Sequence, residues 1–184
     1  MIKTVWTPTL IWLAAAAAAL VLALAAPSES TVMGRLPSTT VERLDQQRLA
    51  SDLSSEGSGR TLALVAFHSS QRGETESWIT GLQLHQSPSI SWVRMPVIND
   101  PGNLDTRHAI ESRLLARYTG PEARLRLMPI FTDREAFIRA AGLSGAQHAG
   151  VLVLGRDGSV LARAEGEFDS EKARALRMTL MSQF

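Results

Sequence analysis

The chain of 184 residues contains no cysteine. Disulfides, thiolate metal ligation and thiol catalysis are excluded together, because each depends on a sulfur that ionises or oxidises. The absence says nothing of compartment, since a chain without cysteine is indifferent to redox environment. An excess of charge is missing as well: 19 basic residues face 18 acidic ones, a formal charge of +1. No global field draws such a chain toward nucleic acid or an acidic surface. The four histidines, His68, His85, His108 and His148, form no H-x-x-x-H pair, so metal binding would require residues distant in sequence to converge in space. No G-x-S-x-G elbow is present, and no internal repeat.

What is present suits one globular domain with additions: 45% of the residues are hydrophobic and 20% charged. Lys3 is the only charge before Glu29, and Leu10–Ala26 is an unbroken apolar run rich in Ala and Leu. The run closes on Ala23-Leu24-Ala25, a small-x-small cleavage pattern. Residues 1–26 therefore read as a secretory signal peptide. The competing reading is an N-terminal membrane anchor, because residues 5–26 are long enough to span a bilayer. Both readings place the remainder outside the cytoplasm, periplasmic or secreted, with a tether to the inner membrane in the second.

Residues 27–59 read as a linker followed by an edge helix. Pro27–Ser38 mixes Pro, Ser, Thr and Gly. Thr40–Leu53 has a thin apolar stripe behind a Thr39-x-x-Glu42 capping box. Residues 60–184 form the domain proper. Thr61–Phe67 is a continuous apolar run, the pattern of a strand buried on both faces. A polar turn, His68–Gly73, leads into a helix over Glu74–Leu84 that buries Trp78, Ile79 and Leu82, with His85 on the same face. Ser89–Ile98 is the next strand, with Trp92 in its core and Pro96 marking an end or an edge. Leu104–Tyr118 reads as a helix with Ile110, Leu114, Leu115 and Tyr118 as its buried stripe. Leu125–Phe131 is a short strand that Pro129 places near the sheet edge. Thr132-x-x-Glu135 is a capping box for a helix over Asp133–Ala141, which Gly142 ends. Val151–Leu154 and Val160–Ala164 flank a Gly155–Gly158 hairpin turn. Asp169 caps a last helix, Ser170–Met181, which buries Ala173, Leu176 and Leu180.

The order β-α-β-α-β-α-β-β-α resembles the thioredoxin-like plan. LALVAFHSSQRGETESW resembles the strand and active-site turn of TlpA-type thiol oxidoreductases and peroxiredoxins. MPIFTDREAFIRAAGL looks like their strand ending in Asp with a short helix reaching a Gly, and AGVLVLGRDGSVLARAEG like their closing hairpin. The likeness covers residues 60–181. It implies an α/β fold, a three-layer α/β/α sandwich with a mixed central sheet and a C-terminal hairpin plus helix. Aligned on Phe67, the family's two cysteine positions fall near Arg72 and Thr75, and aligned on the hairpin its cis-proline falls on Ala149. Nucleophile and groove proline are both missing, and peroxide reduction and disulfide exchange both need a thiolate. A looser likeness, through Ser77-Trp78 and the closing strand, is to the mitochondrial ATP-synthase assembly factor family, and it implies a chaperone-like binding role.

The densest polar cluster is the turn His68, Ser69, Ser70, Gln71, Arg72 and Glu74, at a strand end where open α/β sheets bind ligands. The resemblance implies that His148, Ala149 and Gly150 complete a groove there. A hydrolase would take Ser69 or Ser70 as nucleophile, His68 or His148 as base and Asp100 as orienter, but nothing in the spacing brings the three together. Arg113, Arg117, Arg124 and Arg126 gather around the Gly120 turn as a solvated basic rim or as an anionic or membrane-surface contact. The expectation is an exported, cysteine-free thioredoxin-like domain with no cofactor. It would bind another exported or membrane protein as an accessory or assembly factor, through His68–Glu74 and His148–Gly150. The alternative is an enzyme or metal-handling protein built on the same groove.

Overall fold

The structure, a computed structural model, describes residues 33–38, 40–43 and 59–182. The signal peptide or anchor read over residues 1–26 lies outside the described residues, as does most of the edge helix. Among the described residues, no helix is long and apolar enough to cross a membrane.

The apolar run becomes β2 (Thr61–Ala66), the strand around which the sheet is built. In chain order the other strands are β1 (Gly34–Arg35), β3 (Trp92–Asn99), β4 (Ile130–Thr132), β5 (Gly150–Leu154) and β6 (Ser159–Glu165). The helices are α1 (Arg72–Gly81), α2 (Leu104–Ala116), α3 (Pro121–Leu125), α4 (Arg134–Ala141) and α5 (Ser170–Met181). The strands order as β1-β6-β5-β2-β3-β4. β2, β3 and β4 run parallel, and β5 pairs antiparallel with both β2 and β6. Alternate side chains of a strand point to opposite faces, and here both faces are covered. Ala63 and Val65 pack with Phe137 and Ala141 of α4, while Leu62 and Leu64 pack with Trp78 of α1 and Leu176 of α5. That double coverage is why the β2 sequence is continuously apolar rather than alternating. A β2-α1-β3 unit, a closing β5-β6 hairpin and a last helix on the α1 face make the three-layer thioredoxin-like α/β fold.

Several local signals are met. Gly142 ends α4 in the left-handed region at φ 67°. Asp169 accepts from the N–H groups of Glu171 and Lys172 at the start of α5. Trp78 and Trp92 are buried, and β4 with its neighbouring Pro129 is an edge strand.

Other expectations are corrected. Leu125–Phe131 is not one strand. Pro121 opens α3 from its first position, where a missing N–H costs nothing, and the helix runs through Leu125. Leu127 makes a single bridge to Arg94, and strand geometry resumes only at Ile130. Pro96 marks neither an end nor an edge, because β3 has neighbours on both sides. Arg94 N and O bond Arg126 and Met128 on the outer side. Two residues on, Pro96 N faces that same side, where the neighbouring segment is broken by Pro129 and no donor is needed. The stripe assigned to α2 is not buried: none of its residues is, and Leu115 is 41% exposed. Asp133, not Thr132, caps α4, its carboxylate accepting from Ala136 N at 3.1 Å, because Thr132 is held as the last residue of β4. The first helix begins at Arg72 after a 3-10 turn over Ser69–Gln71 and ends at Gly81, so His85 falls in a separate turn and is exposed. Residues 33–38, read as linker, join the domain: β1 pairs with β6 and Leu36 enters the core.

Candidate binding site at the strand-end turn

β2 delivers the chain into the 3-10 turn, and a buried side chain fixes its shape. Gln71 Oε1 accepts from Phe67 N at 2.7 Å and His68 N at 3.1 Å, and its Nε2 donates to Ala146 O at 2.7 Å. Two backbone donors left over where a strand becomes a helix are thus satisfied internally. Gln71 ties the turn to the segment that leads into β5 and presents nothing to a ligand.

The two positions aligned with cysteines differ in exposure. The Arg72 side chain is largely exposed, whereas Thr75 is buried and its hydroxyl donates to Arg72 O at 2.9 Å. Between them Glu74 reaches across to the proline-equivalent segment. Its Oε2 accepts from Ala149 N at 2.6 Å, and its Oε1 lies 3.2 Å from His148 Nδ1. Further along α1, Trp78 Nε1 donates to Gly166 O at 2.8 Å and Ser77 Oγ accepts from Phe168 N at 2.9 Å. The flank of α1 that faces the closing hairpin is therefore bonded along its length. Ala149 and Gly150 are buried, and the line between His68–Glu74 and His148–Gly150 is crossed by the protein's own hydrogen bonds.

The open space lies on the other flank of the turn. A cleft of about 170 Å³ is bounded by Phe67, His68, Ser69, Arg72 and Thr75 from the turn and α1, by Leu64 and Ala66 of β2, by Arg94–Ile98 of β3, and by Leu114, Arg117 and Tyr118 of and after α2. Its position is the carboxyl ends of two parallel strands, where such sheets bind ligands. His68, Ser69 and Arg72 open into this cleft; Ser70 is exposed beside it.

Arg94 is the site residue that sequence reasoning missed. It is 9% exposed and pairs with Glu76 through Nη1 at 2.7 Å. Its guanidinium carbon lies 5.5 Å from the ring centres of both Trp92 and Tyr118, within cation–π range. Its Nε is buried without a hydrogen-bond partner. The available signal was a lone Arg inside the apolar strand SISWVRMPVI, two residues after a Trp and hence on the same face. The four arginines around Gly120 do not act as one rim. Arg126 stacks 4.6 Å over Trp92, and burial lowers its pKa from the ordinary arginine value. Arg124 Nε donates to Tyr118 O, while Arg113 and Arg117 are exposed.

The hydrolase constellation is not assembled. Asp100 is engaged by Arg107 and by the Gly102 N–H, and these donors, Arg107 first, hold its carboxyl below the ordinary range while the same contact raises Arg107. Asp100 lies outside the cleft that Ser69 lines. Among the described residues, no hydrogen bond joins Ser69 or Ser70 to His68, His148 or Asp100. His85 packs edge-on against Trp92 at 5.4 Å, and no group of three metal-ligating carboxylate or imidazole side chains converges among the described residues.

No protein-family model and no curated protein matches the sequence. Solved structures similar in part include three thioredoxin-like or Sco proteins. BsSco, a member of the Sco family of cytochrome c oxidase assembly proteins, is 12% identical at TM-score 0.43, over 67% of this chain and 79% of that one. A putative thioredoxin from Neisseria meningitidis is 14% identical at TM-score 0.39, over 70% and 77%. A thiol:disulfide interchange protein from Bacteroides sp. is 13% identical at TM-score 0.36, over 70% and 76%. The fold assignment stands on the strand order described above.

Proposed function

We propose that this chain is a non-redox binding domain, exported from the cytoplasm, that serves another exported or membrane protein as an accessory or assembly factor. The observation that carries the reading is the cleft beside the strand-end turn. It is open, mostly apolar and lined by Arg72, Arg94, Arg117 and His68, with no carboxylate among the described residues that line it. Catalysis has no counterpart support. The turn holds no thiol, Thr75 spends its hydroxyl on the backbone, and the serines have no bonded base among the described residues. Export is supported by Lys3 followed by the apolar run to Ala26.

The test is site-specific photo-crosslinking in the full chain, made in its own cells. A photoreactive residue in place of Ser69 is compared with one in place of Arg156, at the hairpin tip by the opposite ends of the strands. One dominant protein adduct at Ser69, weaker at Arg156 and diminished by Tyr118→Asp, is the expected result. Equal adducts at both positions would overturn the reading.

A further inference from the structure

We infer that the cleft takes the C-terminal residue of a partner polypeptide, its apolar side chain inside and its α-carboxylate on Arg72 and Arg117. This rests on the binding reading above and specifies the ligand. Size comes first. A cavity of about 150 Å³ holds one benzene molecule, so about 170 Å³ accommodates a single phenyl-sized or branched aliphatic group.

Charge comes second. Arg94, deep in the cleft, is balanced by Glu76. Among the described residues, Arg72 has only that same carboxylate, at 3.9 Å, already engaged more closely by Arg94. Among the described residues, Arg117 makes no ion pair and no acidic residue lines the cleft. Positive charge is therefore left over at the mouth while the walls are apolar.

A ligand matching this pattern carries an apolar group and an anion a few bonds apart. The last residue of a polypeptide has that arrangement by construction, since side chain and carboxylate share one Cα. An internal apolar residue offers only a neutral carbonyl, and an internal Asp or Glu leaves the walls unfilled. Guanidinium groups bind carboxylates through charge-assisted hydrogen bonds, stronger than neutral ones.

The probes are acetyl-Gly-Gly-Phe with a free C-terminus, its C-terminal amide, acetyl-Gly-Gly-Ala acid and 3-phenylpropanoate, titrated into the full chain by calorimetry. The free Phe acid is expected to bind more tightly than the amide by about tenfold or more, the worth of one charge-assisted hydrogen bond. The Ala acid should lose a similar factor through the unfilled walls. The double variant Arg72→Gln/Arg117→Gln, at two exposed positions, should remove the preference for the acid over the amide. The same acid should compete away the Ser69 photo-adduct. Equal binding of acid and amide overturns the inference, as does failure of the Phe acid to bind. An adduct at Ser69 that the acid does not displace leaves the binding reading standing and removes the chain-end ligand; no adduct removes both. Tighter binding of 3-phenylpropanoate than of the tripeptide acid assigns the cleft to a free small acid and also overturns it.

Discussion

The backbone N–H of Ala149 donates to the carboxylate of Glu74 at 2.6 Å. The pair joins the first helix to the loop before β5, at the position where the thioredoxin-like pattern places a proline. A proline there has no N–H to give. Ala149 and Glu74 are thus one structural substitution: an alanine that supplies a donor and a glutamate that accepts it. Ala149 is buried, so removing the acceptor leaves its N–H without water. Glu74→Ala should cost about 1–3 kcal/mol. Glu74→Gln should cost less, because its amide oxygen still accepts. His148→Ala should cost at most about 1 kcal/mol, the histidine being mostly exposed. Urea denaturation of the three variants checks the order, and a Glu74→Ala midpoint equal to that of Glu74→Gln contradicts it.

Arg94 and Glu76 predict a non-additive pair. Glu76→Ala leaves a 9%-exposed cation held only by the Trp92 and Tyr118 rings. Breaking a fully buried pair costs ~3–5 kcal/mol, and the 39% exposure of the Glu76 side chain puts the expected loss below that range. Arg94→Met should cost less than Glu76→Ala, since Glu76 can turn to water and Met fills the space between the rings. The double variant Arg94→Met/Glu76→Ala should be more stable than Glu76→Ala alone. A double-mutant cycle by chemical denaturation measures the coupling, and additive single effects would show that the pair contributes nothing.

Periodicity made the central layers legible and failed where burial is one-sided. The run Thr61–Phe67 and the hairpin Val151–Ala164 have strong signals because both faces of the sheet are covered. Trp78 and Leu176 follow from helical spacing for the same reason. α2 misled because Ile110, Leu114 and Tyr118 do keep helical spacing, yet they stay half-buried, Leu114 and Tyr118 lining an open cleft rather than a closed core. The site was half legible. A polar turn after a buried strand pointed to the right strand end. Which flank of the turn is open depended on Gln71 and Glu74, whose partners Ala146 and Ala149 are about 75 residues away. Arg94 was hidden by its apolar neighbours, since its charge is balanced from another element.

Gly34 is predicted to be irreplaceable in β1. A Cβ at this position would lie 2.2 Å from Ala140 O, a backbone atom of α4 that cannot move aside alone. Gly34→Ala should detach β1 from β6, at a cost of about 1–3 kcal/mol for an overpacked site. Hydrogen exchange gives the local reading: Leu36 N, which donates to Gly158 O, should lose protection, while β2 amides change only by the global loss. Unchanged protection at Leu36 contradicts the close approach.

Asp157 predicts an acid-side stability slope. Its carboxyl is held below the ordinary aspartate range, first by the Ser159 hydroxyl at 2.6 Å, then by Ser159 N at 3.1 Å, with Arg35 adding attraction. In the window between the unfolded value near ~3.9 and the lower native one, the unfolded chain binds more protons, so stability rises with pH there. The contribution is complete above the unfolded value and is lost as pH falls through the native one. Asp157→Asn keeps an oxygen for the Ser159 N–H but has no charge to titrate. The stability difference between wild type and Asp157→Asn should therefore be constant around pH 6 and shrink as pH falls below about 4. Arg35→Gln should reproduce only part of that change, because Arg35 and Asp157 are both exposed and solvent screens their attraction. Urea midpoints from about pH 6 to about pH 2.5 read both slopes. Parallel curves for wild type and Asp157→Asn would mean that the turn holds Asp157 equally well in either protonation state.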